Sequence, residues 1–254
     1  MTPIQRIVYI TDWIRNYAVQ HEISTLVVGV SGGIDSAVVS TLCARTGLYT
    51  IAVSMPIRQS AHTHDLSLRH GQWLAGKFEH VDHFVIDLTP TFEHFETATR
   101  VFSDELAYAN SRARLRMATL YQLAQANHGI VVGTGNRVED FGVGFFTKYG
   151  DGGVDISPIG DCLKTQVWDM GHELAVLEDI QKAAPTDGLW SDGRTDEQQL
   201  GMTYPELEAA MLADQLGHWP ENSDNRDKIE KYRQIRRRNL HKMMPIPVCT
   251  MPAI

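Results

Sequence analysis

Six consecutive residues, Ser31-Gly32-Gly33-Ile34-Asp35-Ser36, bring together two hydroxyls, two glycines and a carboxylate in the pattern of a polyphosphate site. Without a Cβ at positions 32 and 33 the backbone can turn sharply and offer its N–H groups to an anion. A helix starting there adds unpaired donors and the positive end of its dipole. Gly29 and Val30 lead into the turn, so the phosphate-binding stretch is Gly29 to Ser36, with Ser31 and Ser36 as side-chain donors. The Gly-Lys-Ser/Thr ending of a Walker A loop is absent, and with it the lysine grip on a β/γ-phosphate. Asp35 stands there instead. A carboxylate aimed at a polyphosphate is repulsive unless a divalent cation lies between them, so Asp35 predicts Mg²⁺ bridging to ATP or pyrophosphate.

The elements that must hold this loop are legible on both sides of it. Thr25 to Val30 is a β-branched run that reads as a buried strand, and Ala37 to Leu42 continues with helical periodicity. This strand, SGGxDS, helix arrangement resembles the pyrophosphate-loop ATPases. The resemblance implies cleavage of ATP between its α- and β-phosphates and transfer of AMP to a substrate oxygen.

Further strands are expected at Thr50 to Met55, His83 to Asp87 and Gly129 to Thr134, with helical stretches near Ser67 to Gly76 and Asn110 to Gln125. From Thr2 to Gln20 the spacing of Ile4, Ile7, Val8, Ile10, Trp13, Ile14 and Tyr17 predicts an amphipathic helix packed on the sheet. Alternating strands and helices specify an α/β fold, a doubly wound open parallel sheet with helices on both faces. Ligands then collect at the carboxyl ends of the strands near a switch in strand order, and Gly133-Thr134-Gly135-Asn136 follows its own strand at a second such end. Phe145 to Gly160 and Ala183 to Thr203 lack periodicity and read as active-site loops.

The 254 residues are 43% hydrophobic and 21% charged, which fits an ordinary globular chain, expected as one domain over 1–254. No apolar run approaches a bilayer span and no signal peptide is evident, so a cytoplasmic protein without membrane attachment is expected. A net charge of −8 argues against nucleic-acid binding. The basic run Lys231 to Arg238 reads as a solvated helix face, with phosphate pairing as the alternative. Cys43, Cys162 and Cys249 are few and scattered and read as buried thiols. His62 and His64 lack a third ligand and are not read as a metal site.

Four later segments narrow the resemblance: Asn110 to Met117, Gly133 to Glu139, Gly144 to Gly153 with its FFTKYGDGG run, and Ala184-Pro185-Thr186 followed by Thr195-Asp196-Glu197. Together they resemble the NAD synthetase family, from about residue 5 to His241-Lys242. That resemblance implies an adenine nucleotide alpha-hydrolase-like fold and amidation of deamido-NAD by ammonia, with ATP as co-substrate and AMP and pyrophosphate as products. It implies Asp35 and Glu139 as Mg²⁺ ligands, with Glu139 favoured over the adjacent Asp140 because residues 139 to 144 run one residue longer than their counterparts in several relatives. It implies Thr134, Lys164 and Thr186 at ATP, and Arg114, Lys148, Asp155, His241 and Lys242 at deamido-NAD. Asp151 is the candidate for holding and deprotonating ammonium, with loop closure as its plainer reading, and Lys164 for stabilising charge during adenylation. The chain has no room for the glutaminase domain of glutamine-dependent forms, so free ammonia is the expected nitrogen donor, with a separate glutaminase subunit as a possible source. A homodimer is also implied. A different AMP-forming ligase of the superfamily and a non-catalytic adenine-nucleotide sensor are the alternatives.

Overall fold

The structure, a computed structural model, describes residues 1–186, 194–217 and 222–251. Strand β1 (Thr25–Gly29) lies inside a four-stranded sheet of order β3-β2-β1-β4, with β2 at Tyr49–Ser54, β3 at Val81–Val85 and β4 at Gly129–Val131. Every pairing is parallel. The chain leaves β1 through helix α2 (Ile34–Arg45) toward β2 on one side, while β4 pairs on the other. The strand order therefore switches between the carboxyl ends of β1 and β4, where an open parallel sheet leaves a crevice for ligand. Beyond β4 the chain returns along the same edge, with Asp155 N donating to the Val131 carbonyl at 3.0 Å and Gly133 N to the Ile156 carbonyl at 2.8 Å.

Alternation along β1 divides the core. Leu26 and Val28 pack with α2, with α1 (Pro3–Gln20) and with α6 (Lys164–Glu173). Val27 faces the opposite layer, where Phe92 of α4 (Thr89–Thr99) and Ala124 of α5 (Glu105–Ala126) meet β2 residues Ile51 and Val53. Helix α3 (Ala61–Lys77) covers the outer strands through Leu74. Thr2 caps α1 with a reciprocal Gln5 bond, and Ile7, Ile10 and Ile14 are its buried stripe. In α2 all residues from Ile34 to Ala44 except Asp35 are buried, so the helix behind the glycine loop is clamped on all sides.

A second cluster joins the π-helix Arg137–Val143 to α9 (Tyr204–Gln215) and α10 (Ser223–Met243) through Val138, Val143, Leu207, Met211, Ile229 and Tyr232. Trp168 of α6 touches both clusters and ties them together. The short helices α7 (Glu178–Lys182) and α8 (Asp196–Leu200) flank residues 187–193, which lie outside the described residues.

Several expectations are corrected here. The strand expected at 83–87 spans Val81–Val85, the one expected at 129–134 ends at Val131, and the helix near 67–76 begins at Ala61 behind a Ser60 cap. The Ala183 to Thr203 stretch contains α8. The basic run is not simply solvated: Tyr232 is buried, Arg233 pairs with Asp214, and Arg236 donates to the carbonyls of Phe141 and Gly142. Cys43 and Cys162 are buried, but Cys249 lies exposed beyond the last helix. Among the described residues no helix is long and apolar enough to cross a membrane.

Candidate active site

The glycine loop turns between β1 and α2. Gly32 has φ +87°, and a Cβ there would lie 2.7 Å from the Thr63 carbonyl, so both backbone conformation and space require glycine. Gly33 is the N-cap of α2 and gives it no side-chain cap. The first-turn N–H groups thus lack an intrahelical partner at the end of the helix that follows the glycine turn. Ser36 Oγ fixes the turn from inside: it lies 3.0 Å from Ser31 Oγ, donates to the Gly33 carbonyl at 2.9 Å and accepts from Ser31 N at 3.1 Å.

Asp35 is the second residue of α2, and Glu139 comes from the π-helix after β4. A single ammonium joins them. Lys164 Nζ donates to Asp35 Oδ2 and, at 2.9 Å, to Glu139 Oε1, and the lysine is only 2% exposed. Asn136 aligns the two carboxylates from below: its Oδ1 caps the π-helix by accepting from Val138 N and Glu139 N, and its Nδ2 donates to Asp35 Oδ1 at 3.3 Å. Tyr204, on the first turn of α9, donates its hydroxyl to Glu139 Oε1. Glu208 accepts from Thr165 N and Oγ1, both at 2.9 Å, and so binds the start of α6 to α9.

Electrostatics explain why the lysine is charged. Burial opposes the ammonium, but Asp35 and Glu139 outweigh it and hold Lys164 above its ordinary value. Burial also disfavours an ionised Glu139, yet Lys164 and the Tyr204 hydroxyl bring it below the usual carboxylate value. Asp35 is pushed up because burial, with repulsion from Glu139, exceeds the pull of Lys164. With both carboxylates ionised, the trio keeps one net negative charge beside donors arranged for an anion. That is an environment for a further cation and phosphate together.

Glu139 and Asp140 face different neighbours. Asp140 sits against Gly135, where a Cβ would lie 1.8 Å from Asp140 Oδ2, and it lines a cavity of about 300 Å³ with Phe146, Lys148, Tyr149, Val154 and Lys242. Burial and the carboxylates of Asp151, Glu139 and Asp35 hold Asp140 well above its ordinary value. The wider turn of a π-helix is how a helix absorbs an added residue, and here the two adjacent carboxylates have different neighbours.

Of the five residues expected at deamido-NAD, Lys148 and Lys242 line this cavity, and Arg114 and His241 are tied to it through Lys148. Arg114 Nε donates to the Lys148 carbonyl at 3.3 Å, Lys148 Nζ to the His241 carbonyl at 3.2 Å, and Lys242 Nζ to the Phe146 carbonyl at 2.7 Å. Asp155 does not pair with Lys148; its carboxylate accepts from Tyr121 Oη at 3.1 Å and Val131 N at 2.7 Å. Asp151 accepts from Thr147 N at 3.0 Å, the loop-closing contact, and its residue is exposed. Thr134 is half-buried in the turn after β4. Thr186 Oγ1 donates to the Arg194 carbonyl at 3.2 Å.

Asn136 and Tyr204 had no role assigned from sequence. Asn136 carried a signal, an N-cap type directly after a strand-end glycine turn. Tyr204 carried only the Thr203/Glu206 capping box, which marks a helix start and says nothing of a partner 65 positions away.

Comparison with known proteins adds the family. Residues 6–245 match the family model described as NAD synthase. The chain is 33% identical over 238 residues to the NH(3)-dependent NAD(+) synthetase of Carboxydothermus hydrogenoformans, covering 92% of each. A solved NMN synthetase from Francisella tularensis is 32% identical with a TM-score of 0.88, over 99% of this chain and 100% of that one. The NH3-dependent NAD synthetase of Campylobacter jejuni, 22% identical with a TM-score of 0.79 over 98% and 100%, shares the fold. With its glycine loop, paired carboxylates and buried lysine in one crevice, the chain belongs to the NAD synthase family.

Proposed function

We propose that the chain joins ammonia to the carboxylate of deamido-NAD, using ATP and releasing AMP and pyrophosphate. The observation that carries this reading is the Asp35, Lys164 and Glu139 trio at the mouth of the glycine loop. A carboxylate oxygen of the nicotinate ring attacks the α-phosphorus of ATP, and the bond to pyrophosphate breaks. The acyl-adenylate so formed is attacked at carbon by neutral ammonia. AMP leaves with the former carboxylate oxygen, and the amide remains. The loop N–H groups, Ser31 and Ser36 hold the phosphates, while Thr134 and Thr186 contact ATP. Lys164 carries positive charge close to where negative charge grows during pyrophosphate departure. Lys148 and Lys242 give the acceptor cavity positive charge, Arg114 and His241 stand behind Lys148, and Asp155 braces the sheet-side edge.

Magnesium fits the donor set. Two carboxylates, Asp35 and Glu139, already converge on one cation, the Lys164 ammonium. Mg²⁺ prefers that arrangement, taking one or two carboxylates and completing its shell with phosphate and water. Asp35 and Glu139 would hold it, and bound there it would neutralise the departing diphosphate. Asp151 lies on the loop beside the acceptor cavity and is assigned to ammonium. D151N should then slow amide formation more than adenylate formation, and equal loss in both steps would remove that role. A homodimer belongs to the reading, supported by exposed Phe84, Val85, Phe95, Val101 and Phe102; a sedimentation mass of one chain would contradict it.

A second acceptor is favoured by two observations: the likeness to an NMN synthetase, and a cavity at the lower end of ligand-pocket sizes, suited to one nucleotide. Nicotinate mononucleotide carries the same carboxylate, so the chemistry is unchanged. Measuring kcat/KM for both acceptors with saturating ATP and ammonium, and with glutamine in place of ammonium, decides among these. Faster amidation of deamido-NAD by ammonium supports the first reading, and a preference for the mononucleotide supports the second. ATP binding without turnover of either would point to a nucleotide sensor.

A further inference from the structure

The charged trio has a fourth member that the phosphate chemistry leaves unexplained. Tyr204 is fully buried, its ring edge-on to Trp168 at 5.9 Å and 4.8 Å from the Lys164 ammonium. Its backbone is pinned as well, with Tyr204 N donating to Glu197 Oε1 at 3.0 Å. A phenylalanine would fill the same space without burying a hydroxyl, and a buried phenol needs only some acceptor. Here the acceptor is Glu139 Oε1, the same oxygen that takes Lys164 Nζ at 2.9 Å. Asp196 Oδ2, 3.1 Å from the hydroxyl, is the other carboxylate within reach of its single hydrogen. Glu139 turns about three side-chain bonds and sits on a π-helix, and Lys164 and Asn136, the other side chains that bond its carboxylate, both bond Asp35 as well, so Tyr204 is the donor that Glu139 does not share with Asp35.

We infer that Tyr204 is a positioning residue: its hydroxyl holds Glu139 turned toward Asp35, so that the two carboxylates stay set to share one divalent cation. This rests on the reading that Asp35 and Glu139 are the magnesium ligands. The hydroxyl touches neither nucleotide nor acceptor in that scheme and acts only through Glu139. Losing one hydrogen bond to a charged group should weaken cation binding about tenfold.

Mn²⁺ titrated into protein with ATP and no nicotinate substrate, and followed by the electron paramagnetic resonance of free Mn²⁺, reads binding without turnover. Y204F should bind Mn²⁺ about tenfold more weakly than wild type. In the E139Q background Y204F should have no further effect. The magnesium concentration for half-maximal rate should rise about tenfold in Y204F, with kcat at saturating magnesium and KM for the acceptor kept within about twofold. Unchanged Mn²⁺ binding, or equal loss in every kinetic constant, would make Tyr204 a packing residue and overturn the inference. Should Y204F fail to fold, wild-type protein labelled at tyrosine Cζ provides the test. One tyrosine resonance should shift when Mg²⁺ joins ATP and stay still in E139Q, and no such resonance would overturn the inference. Weaker Mn²⁺ binding by Y204F in a protein that amidates neither acceptor would leave the inference standing and sink the proposed reaction instead.

Discussion

Lys164 stands where two effects oppose a cation: it is the first residue of α6, at the positive end of the helix dipole, and it is 2% exposed. Asp35 and Glu139 together reverse both effects. Taking the ammonium away leaves two carboxylates facing each other out of water, and breaking a buried pair in this way costs about 3–5 kcal/mol. K164M should therefore lower the urea midpoint substantially, and magnesium with ATP should restore part of the loss by supplying the missing positive charge. Stability equal to wild type would mean that the carboxylates are relieved by water and that the trio is loose. The two carboxylates were legible in the sequence because each sits in a local motif, SGGIDS or GTGNRVE. Their convergence on Lys164 was not, since the three lie 129 and 25 positions apart along the chain.

The strands of the sheet were readable because β-branched runs between turn residues have few other uses, and their ends moved by at most three residues. Helix α10 was harder: of the run Lys231 to Arg238 only Tyr232 is buried, so its apolar period is faint and its arginines look solvated until their carbonyl and carboxylate partners are seen. The α2–α3 contact carries a pH dependence. His70 Nε2 lies 2.9 Å from Ser40 Oγ with the ring fully buried, and burial lowers its pKa from the ordinary 6.5 to about 4. Below pH 6.5 the unfolded chain takes up a proton that the folded chain refuses until about pH 4. The stabilisation is complete above 6.5 and is lost as pH falls through that window, ~2 kcal/mol of it by pH 4.5. Urea unfolding of wild type and H70Q at pH 7 and 4.5 checks this: the pH slope should flatten in the variant. An identical slope would assign acid sensitivity elsewhere.

At the scale of the molecule, the parallel sheet places the β1 and β4 ends side by side, and the small cluster around α9 and α10 closes over them. The sheet presents the phosphate loop, while the appended cluster supplies Tyr204, the Glu208 brace and the wall at Lys242. In the proposed reaction the nucleotide would be held by the part of the fold that alternating strands and helices made legible. The acceptor cavity is built by loops and a late helix, whose conformations depend on contacts distant in sequence, and this is why acceptor identity is the less legible half of the function. In the proposed reaction the acceptor's carboxylate oxygen attacks the α-phosphorus of ATP. Acceptor labelled with ¹⁸O in its nicotinate carboxylate, turned over with ATP and ammonium, should yield AMP carrying one ¹⁸O and pyrophosphate carrying none; label absent from AMP, or present in a phosphate released from the γ-position, would contradict it.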